Sequence, residues 1–288
     1  MIHGAGFPRG RGWADLRCDA RPIFGALACS SANSWQSAAM TSPSSMAPTP
    51  GALAVITGGS RGLGYEVAKE LAAKGFRVLI VSKDLERARA TAAELGCEFR
   101  TVDLEDLSAT RTACDEILAT YGTPEILVLA HGVMSEKMSK TLRTTTEEWR
   151  RVMAINLDSV FIAVNTIGAA MAEARNGRII IFTACLGRMS GPGNTGGLAP
   201  YRISKAGVNA LVRNLAHETN LGARGLLVDA TCPNHSRTDM GGADAPRSAR
   251  EGADTAIWLA TREFDASSGD PLLSKTGLFW EDKEIIDW

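Results

Sequence analysis

The stretch Leu53-Ala-Val-Ile-Thr-Gly-Gly-Ser-Arg-Gly-Leu-Gly64 runs from a short apolar segment into a glycine-rich turn, then into a helical pattern at Tyr65-Glu-Val-Ala-Lys-Glu-Leu71. Gly58 allows the chain to turn sharply off a strand, Gly62 allows backbone to approach a pyrophosphate, and Gly64 allows the helix to pack close to the strand. Free N–H groups at the helix start then face the anion. In a chain with 29 glycines such spacings arise by chance, so the setting decides. Here the turn sits between a Val/Ile run and an amphipathic helix, and a second apolar strand follows at 78–82, which makes a βαβ unit. Ser60, Arg61 and Leu63 share the turn and are assigned to the same anion site.

From Ala52 onward, predicted strands at 53–56, 78–82, 98–102, 126–130, 178–183, 226–231 and 278–280 alternate with predicted helices at 85–95, 108–121, 201–220 and 249–260. A capping-box pattern at Thr144 and Glu147 opens a further helical region that runs through Asn156 to about residue 174. Alternation of this kind predicts an α/β fold: one Rossmann-type doubly wound parallel sheet with helices on both faces, over residues 51–288. A length of 288 residues fits one large domain. The formal net charge of −1 and the absence of a basic stripe exclude a nucleic-acid footprint, and no apolar run approaches the roughly 18 residues that span a bilayer. Six cysteines without CxxC pairs or zinc-like His spacing predict no metal and a reducing compartment.

Residues 1–50 differ in composition: Gly, Ala, Ser and Pro dominate, and Arg9, Arg11, Arg17 and Arg21 occur without Lys or Glu. This leader is expected to be disordered. It reads either as an organelle-targeting segment, against which Asp15 and Asp19 speak, or as the product of an upstream start, with Met40 or Met46 the working first residue. A cytoplasmic location is expected, with organelle import through the leader left open.

Two further features point to chemistry. At the end of the second strand, where an acid would hold a ribose 2′-hydroxyl, the chain has Ser82 and Lys83. With no carboxylate to repel a 2′-phosphate, Lys83 and Arg61 favour NADP (NADPH) over NAD, while Asp84 is placed as the N-cap of the next helix. Tyr201 and Lys205 lie four residues apart, on one helix face, so the ammonium is expected to lower the phenol pKa toward a working pH.

On these residues the chain resembles the short-chain dehydrogenase/reductase family, from about residue 52 to its end. Thr57-Gly58-x-x-x-Gly62-x-Gly64 matches the family's cofactor turn, Val102-Asp103-Leu104 its adenine-contacting segment, Asn156 its active-site asparagine, and Tyr201-x-x-x-Lys205 its catalytic pair. The stretches Arg237-Thr-Asp-Met-Gly-Gly and Gly277-Leu-Phe-Trp-Glu-Asp-Lys resemble the carbonyl-reductase-like branch. The resemblance implies NADPH-dependent hydride transfer to a small carbonyl compound, or from the alcohol, with Tyr201 as general acid. It implies that Lys205 holds the nicotinamide ribose and tunes Tyr201, and that Asn156 positions a water for proton resupply. Asp103, Leu104, Ala130, Gly132, Pro233 and Thr238 would complete the cofactor contacts, in a monomer or homo-oligomer with no nucleic-acid or membrane partner.

Three departures from the family pattern stand out. Leu129-Ala-His131-Gly132 replaces Asn-Asn-Ala-Gly, with His131 read as a structural substitute, and Pro233-Asn234-His235 replaces Pro-Gly beside the nicotinamide. Thr183-Ala184 falls over a Ser-Ser pair whose second member is the catalytic serine, leaving Thr183 or Ser190 as the remaining hydroxyls. Impaired or unusual catalysis is therefore expected. The alternative is a catalytically degenerate dinucleotide-binding protein that acts through partner contacts or redox sensing. The segment 239–248 is expected to cover the substrate.

Overall fold

Residues 45–136, 140–191 and 195–288 are described by the computed structural model. The chain divides into two units, Met1–Met40 and Thr41–Trp288, and the first lies outside the described residues, as does the expectation of disorder for residues 1–44.

Eight strands form one sheet: β1 (Leu53–Thr57), β2 (Arg77–Ser82), β3 (Glu98–Thr101), β4 (Ile126–Leu129), β5 (Gly177–Phe182), β6 (Leu226–Thr231), β7 (Phe279–Glu281) and β8 (Glu284–Ile286). Their order is β8-β7-β6-β5-β4-β1-β2-β3, and every neighbouring pair is parallel except β7 and β8. The winding direction reverses at β1, between β2 and β4, which is where an open α/β sheet leaves a crevice beyond its carboxyl ends. Both faces are covered. Leu53 and Val55 pack with Val160, Ile167, Val208 and Val212 on one face, whereas Ala54 and Ile56 pack with Val67, Leu71, Ala253 and Ala256 on the other. That alternation follows from the two-residue period of a strand and explains why β1 is apolar at nearly every position.

The helices are α1 (Gly62–Ala73), α2 (Leu85–Leu95), α3 (Leu107–Tyr121), α4 (Thr146–Ala174), α5 (Ala199–Glu218) and α6 (Ala249–Thr261). Helix α4 is widened into π-turns at Ala154–Asp158 and Val164–Gly168. Its N-cap is Thr145, one residue later than expected, because the Thr145 hydroxyl accepts from Glu148 N–H while the Glu148 carboxylate is taken by Arg151 and Glu136 N–H. An 18-residue window of the 29-residue α4 has a mean hydropathy of 1.5, enough by length and composition alone to cross a bilayer. Its apolarity has a packing cause here, since Val160, Ala163, Val164, Ile167 and Met171 belong to the core.

Two elements were not anticipated. Strand β8 returns from β7 through Asp282 and Lys283, both at positive φ of 52° and 63°, a tight hairpin turn made without the Asn-Gly pair that would have signalled it. At the other end, Ser45–Met46 pairs antiparallel with Phe264–Asp265. Met46 is buried, and its carbonyl accepts from Arg178 Nη2 at 2.8 Å; Arg178 Nη1 is held by the carbonyls of Leu259 and Arg262. Thr49 N–H donates to Glu125 at 2.9 Å. The boundary placed at residue 50 is therefore corrected: the folded domain includes residues 45–50.

A chain beginning at Thr41 should melt higher than one beginning at Ala52. The shorter chain loses the burial of Met46 and one acceptor of a buried guanidinium, so calorimetry is expected to show a fall of roughly 5–15 °C.

Candidate active site

Strand β1 ends at Thr57, and the chain turns at Gly58 with φ of +70°. A Cβ there would lie 3.0 Å from the backbone of His131, so the turn presses against the segment leaving β4. At Gly64, in the first turn of α1, a Cβ would stand 2.4 Å from the Gly58 carbonyl oxygen, a contact that only glycine permits. The turn is tied to β2 by Gly58 N–H donating to Val81 O at 2.7 Å and by a 2.7 Å hydrogen bond between the Ser60 and Ser82 hydroxyls. Gly62 faces the Thr238 methyl group, which brings the segment after β6 over the turn.

A cavity of about 870 Å³ opens along this crevice. Gly58, Ser60, Arg61, Gly62, Leu63, Gly64, Lys83, Asp103, Leu104, Ala130, Gly132 and Thr238, all assigned from the sequence, line it. Tyr201, Lys205 and Pro233 do not form its wall. Lys205 lies directly behind it: its Nζ would be 3.6 Å from a Cβ placed on Gly132.

At the β2 end the cations do not stand alone. Lys83 Nζ is 2.6 Å from Asp103 Oδ2, which raises the ammonium pKa and lowers that of the carboxyl. Arg61 pairs with Asp239, and Arg87 lies 3.8 Å from the same carboxylate. The expectation of an end free of carboxylates is thus corrected. Arg87 is a third cation at the cavity, missed because it sits on the first turn of α2 beyond the strand-end motif; Asp84 caps that helix as expected, accepting from Arg87 N–H at 3.0 Å. From the segment expected to cover the substrate, Asp239 and Met240 line this cavity.

Tyr201 and Lys205 lie one turn apart on α5, both buried. Lys205 Nζ donates to Phe182 O at 2.9 Å, and burial lowers its pKa to about 8. Burial, followed by the neighbouring sulfurs of Cys232 and Cys185, raises the Tyr201 phenol. The depressed tyrosine pKa expected from the sequence is therefore absent, because desolvation outweighs an ammonium that is aimed at a carbonyl. Asn156, in the first π-turn of α4, accepts from Val133 N–H at 2.8 Å and donates to Val133 O at 2.9 Å and Ser204 Oγ at 3.1 Å. Its amide braces the wall beside Gly132.

Thr183 does not reach the site. Its hydroxyl, just past the end of β5, is taken by α5, donating to Asn209 Oδ1 at 2.7 Å and lying 3.2 Å from Lys205 O. Ser190 is exposed, so neither hydroxyl replaces the serine missing at Ala184.

Two other departures have structural accounts. Thr57 Oγ1 lies 2.6 Å from His131 Nδ1, and His131 Nε2 lies 2.8 Å from Ser159 Oγ. Because the Ser159 hydroxyl donates to Ile155 O, it accepts from Nε2–H, and Nδ1 accepts from Thr57. Burial and the Lys205 charge push the imidazole down to about 3, so a neutral His131 links β1, β4 and α4. Asn234 has φ of +55°, the left-handed conformation for which glycine is the usual choice and asparagine the best-tolerated alternative.

A family model described as short chain dehydrogenase matches residues 52–248. The chain is 33% identical over 192 residues to the 3-oxoacyl-(acyl-carrier-protein) reductase of Escherichia coli K12, covering 66% of this chain and 75% of that one. Among solved structures it is similar to a protein from Brucella melitensis described as ribose-5-phosphate isomerase, with a TM-score of 0.70, 28% identity and coverage of 81% and 90% of the two chains. It is also similar to a blue fluorescent protein from a metagenomic library in complex with NADPH, with a TM-score of 0.68, 26% identity and coverage of 81% and 96%. An isomerase name beside a reductase name shows that likeness of fold leaves the reaction to the site.

His131 gives the site an acid limit. Its folded pKa lies below the ordinary value of about 6.5, so the stability it contributes is fully present above that pH and is lost as pH falls from there toward 3. Replacing it with asparagine, which carries no titrating proton, should flatten the fall in melting temperature over that window. An unchanged slope in His131→Asn would assign the acid limb to other groups.

Proposed function

The chain belongs to the short-chain dehydrogenase family, and on that premise we propose that it reduces a small carbonyl compound with NADPH, or oxidises the corresponding alcohol. The observation that carries this reading is the placement of Tyr201 and Lys205, one helical turn apart, behind the Gly132 wall of the dinucleotide cavity. NADPH, when bound, supplies a hydride to the carbonyl carbon; the remaining requirement is a proton for the oxygen.

Tyr201 meets that requirement. Burial keeps the phenol protonated, which suits a general acid in reduction. Lys205, ammonium at neutral pH, contributes positive charge next to the cavity wall without removing the tyrosine proton. Arg61, Lys83 and Arg87 supply the cations for a 2′-phosphate, and Gly58, Gly62 and the N-terminus of α1 receive the pyrophosphate, so the cofactor is NADP(H). Ala184 takes the place of the serine hydroxyl that would donate to the developing oxyanion. The absence of that donor supports slow turnover, and it also favours a second reading: a cofactor-binding protein that acts with little catalysis.

Purified protein mixed with NADPH and a panel of carbonyl compounds should consume the cofactor slowly. Ala184→Ser should raise turnover by about 10–10³, while Tyr201→Phe abolishes it in either background. Binding of NADPH without consumption by the unmodified chain and by Ala184→Ser would favour the second reading. The rate should be flat through neutral pH and fall above about pH 8, as Lys205 loses its charge.

The cofactor assignment has its own test. Arg87→Ala and Lys83→Asp should each weaken NADPH binding in fluorescence titrations while leaving NADH binding unchanged or tighter. Equal affinity of the unmodified chain for the two cofactors would refute it.

A further inference from the structure

Strands β5 and β6 are neighbours, with Phe182 opposite Thr231, and each leaves the sheet through a cysteine. Cys185 opens the short turn Cys185–Gly187, and its backbone N–H donates to Cys232 Sγ at 3.2 Å. Asn234 N–H donates to the same sulfur at 3.4 Å, the left-handed backbone of Asn234 turning the chain back over Cys232. A backbone nitrogen bonded to the facing sulfur brings these residues close to the Cα separation of about 4.4–6.8 Å that a disulfide spans. Among the described residues, the other free cysteines, Cys97 before β3 and Cys114 on α3, belong to other parts of the fold.

The two thiols are unequal. The Cys232 thiol beside it brings Cys185 down to about 7, with Arg188 helping and burial and Glu281 opposing. Cys232 is raised by its neighbour and by burial and remains a thiol. Cys185 is half-buried and Cys232 buried, so a small oxidant meets Cys185 first. Both cysteines neighbour Tyr201, whose phenol is raised by burial first and by them second.

The geometry points to Cys185 and Cys232 as a modification site, a dithiol that a hydroperoxide oxidises to an intrachain disulfide next to Tyr201. The Cys185 thiolate attacks the terminal oxygen of the hydroperoxide; the O–O bond breaks, the sulfur becomes a sulfenic acid, and the alkoxide leaves as the alcohol after taking a proton. The Cys232 sulfur then attacks the sulfenic sulfur and loses its proton, and water departs as the S–S bond forms. Two thiols and one hydroperoxide thus become one disulfide, one alcohol and one water, with two electrons passing from sulfur to oxygen. The consequence for catalysis rests on reading Tyr201 as the proton donor: the cross-link draws together two chain segments that flank it.

The full-length chain, first reduced, is treated with hydrogen peroxide, its remaining thiols are blocked, and it is digested without reductant for mass spectrometry. A peptide joining Cys185 to Cys232 is expected, with NADPH consumption reduced at least 10-fold and restored by dithiothreitol. In Cys232→Ala the joined peptide should vanish and dimedone should label Cys185. The proposal is overturned if both residues stay separately alkylated at peroxide levels that oxidise Cys97, or if the joined peptide forms and activity is unchanged. Should the reduced chain consume no NADPH at all, the reductase reading fails, and the joined peptide still decides the modification site.

Discussion

The contact between the start of α1 and the end of β1 sets the rest of the site. With no side chain at Gly64, the first turn of the helix lies directly on the Gly58 carbonyl, and that approach aims the helix N-terminus along the crevice where the winding reverses. A Cβ there, 2.4 Å from that oxygen, would force the helix or the turn to shift. On either side of this contact, the Ser60–Ser82 hydrogen bond ties the turn to β2, and the Thr57–His131–Ser159 network ties the end of β1 to α4.

Much of this was legible in the sequence because it rests on local rules. The glycine spacing, the strand alternation and the four-residue interval from Tyr201 to Lys205 each encode geometry within a few residues. What escaped was set by tertiary contacts. The two-residue pairing of Ser45–Met46 has too few residues to show a period, and it is fixed by a buried arginine more than a hundred residues away. Arg87 joins the cation group only because α2 carries it back over the glycine turn. The tyrosine pKa was misjudged because sequence spacing gives the distance between Tyr201 and Lys205 but neither their burial nor the carbonyl that claims the ammonium.

The two ends of the sheet handle buried polarity differently. Toward the amino ends, the guanidinium groups of Arg178 and Arg262 donate to backbone carbonyls, and Arg262 lies 3.2 Å from Asp229, which makes that end a fixed anchor. At the carboxyl ends, the buried groups are neutral or close to losing charge: a neutral imidazole, a protonated phenol and a lysine near 8. Breaking a buried ion pair is costly, whereas Lys205, brought down to about 8, can change charge near working pH beside a phenol that keeps its proton, and the second end is the one suited to chemistry.

The Asp239 carboxylate gives the cavity mouth a further property. With Arg61 and Arg87 both facing it, an arriving phosphate exchanges one anion for another instead of meeting bare guanidinium groups. Net affinity is then a difference between two partners for the same cations, so it falls less steeply with ionic strength than a cluster of free charges would dictate. The aspartate belongs to a turn closed by Gly241 N–H donating to Thr238 Oγ1 at 3.1 Å and Gly242 N–H donating to Thr238 O at 2.8 Å, so the exchange at the cations takes place on a braced segment.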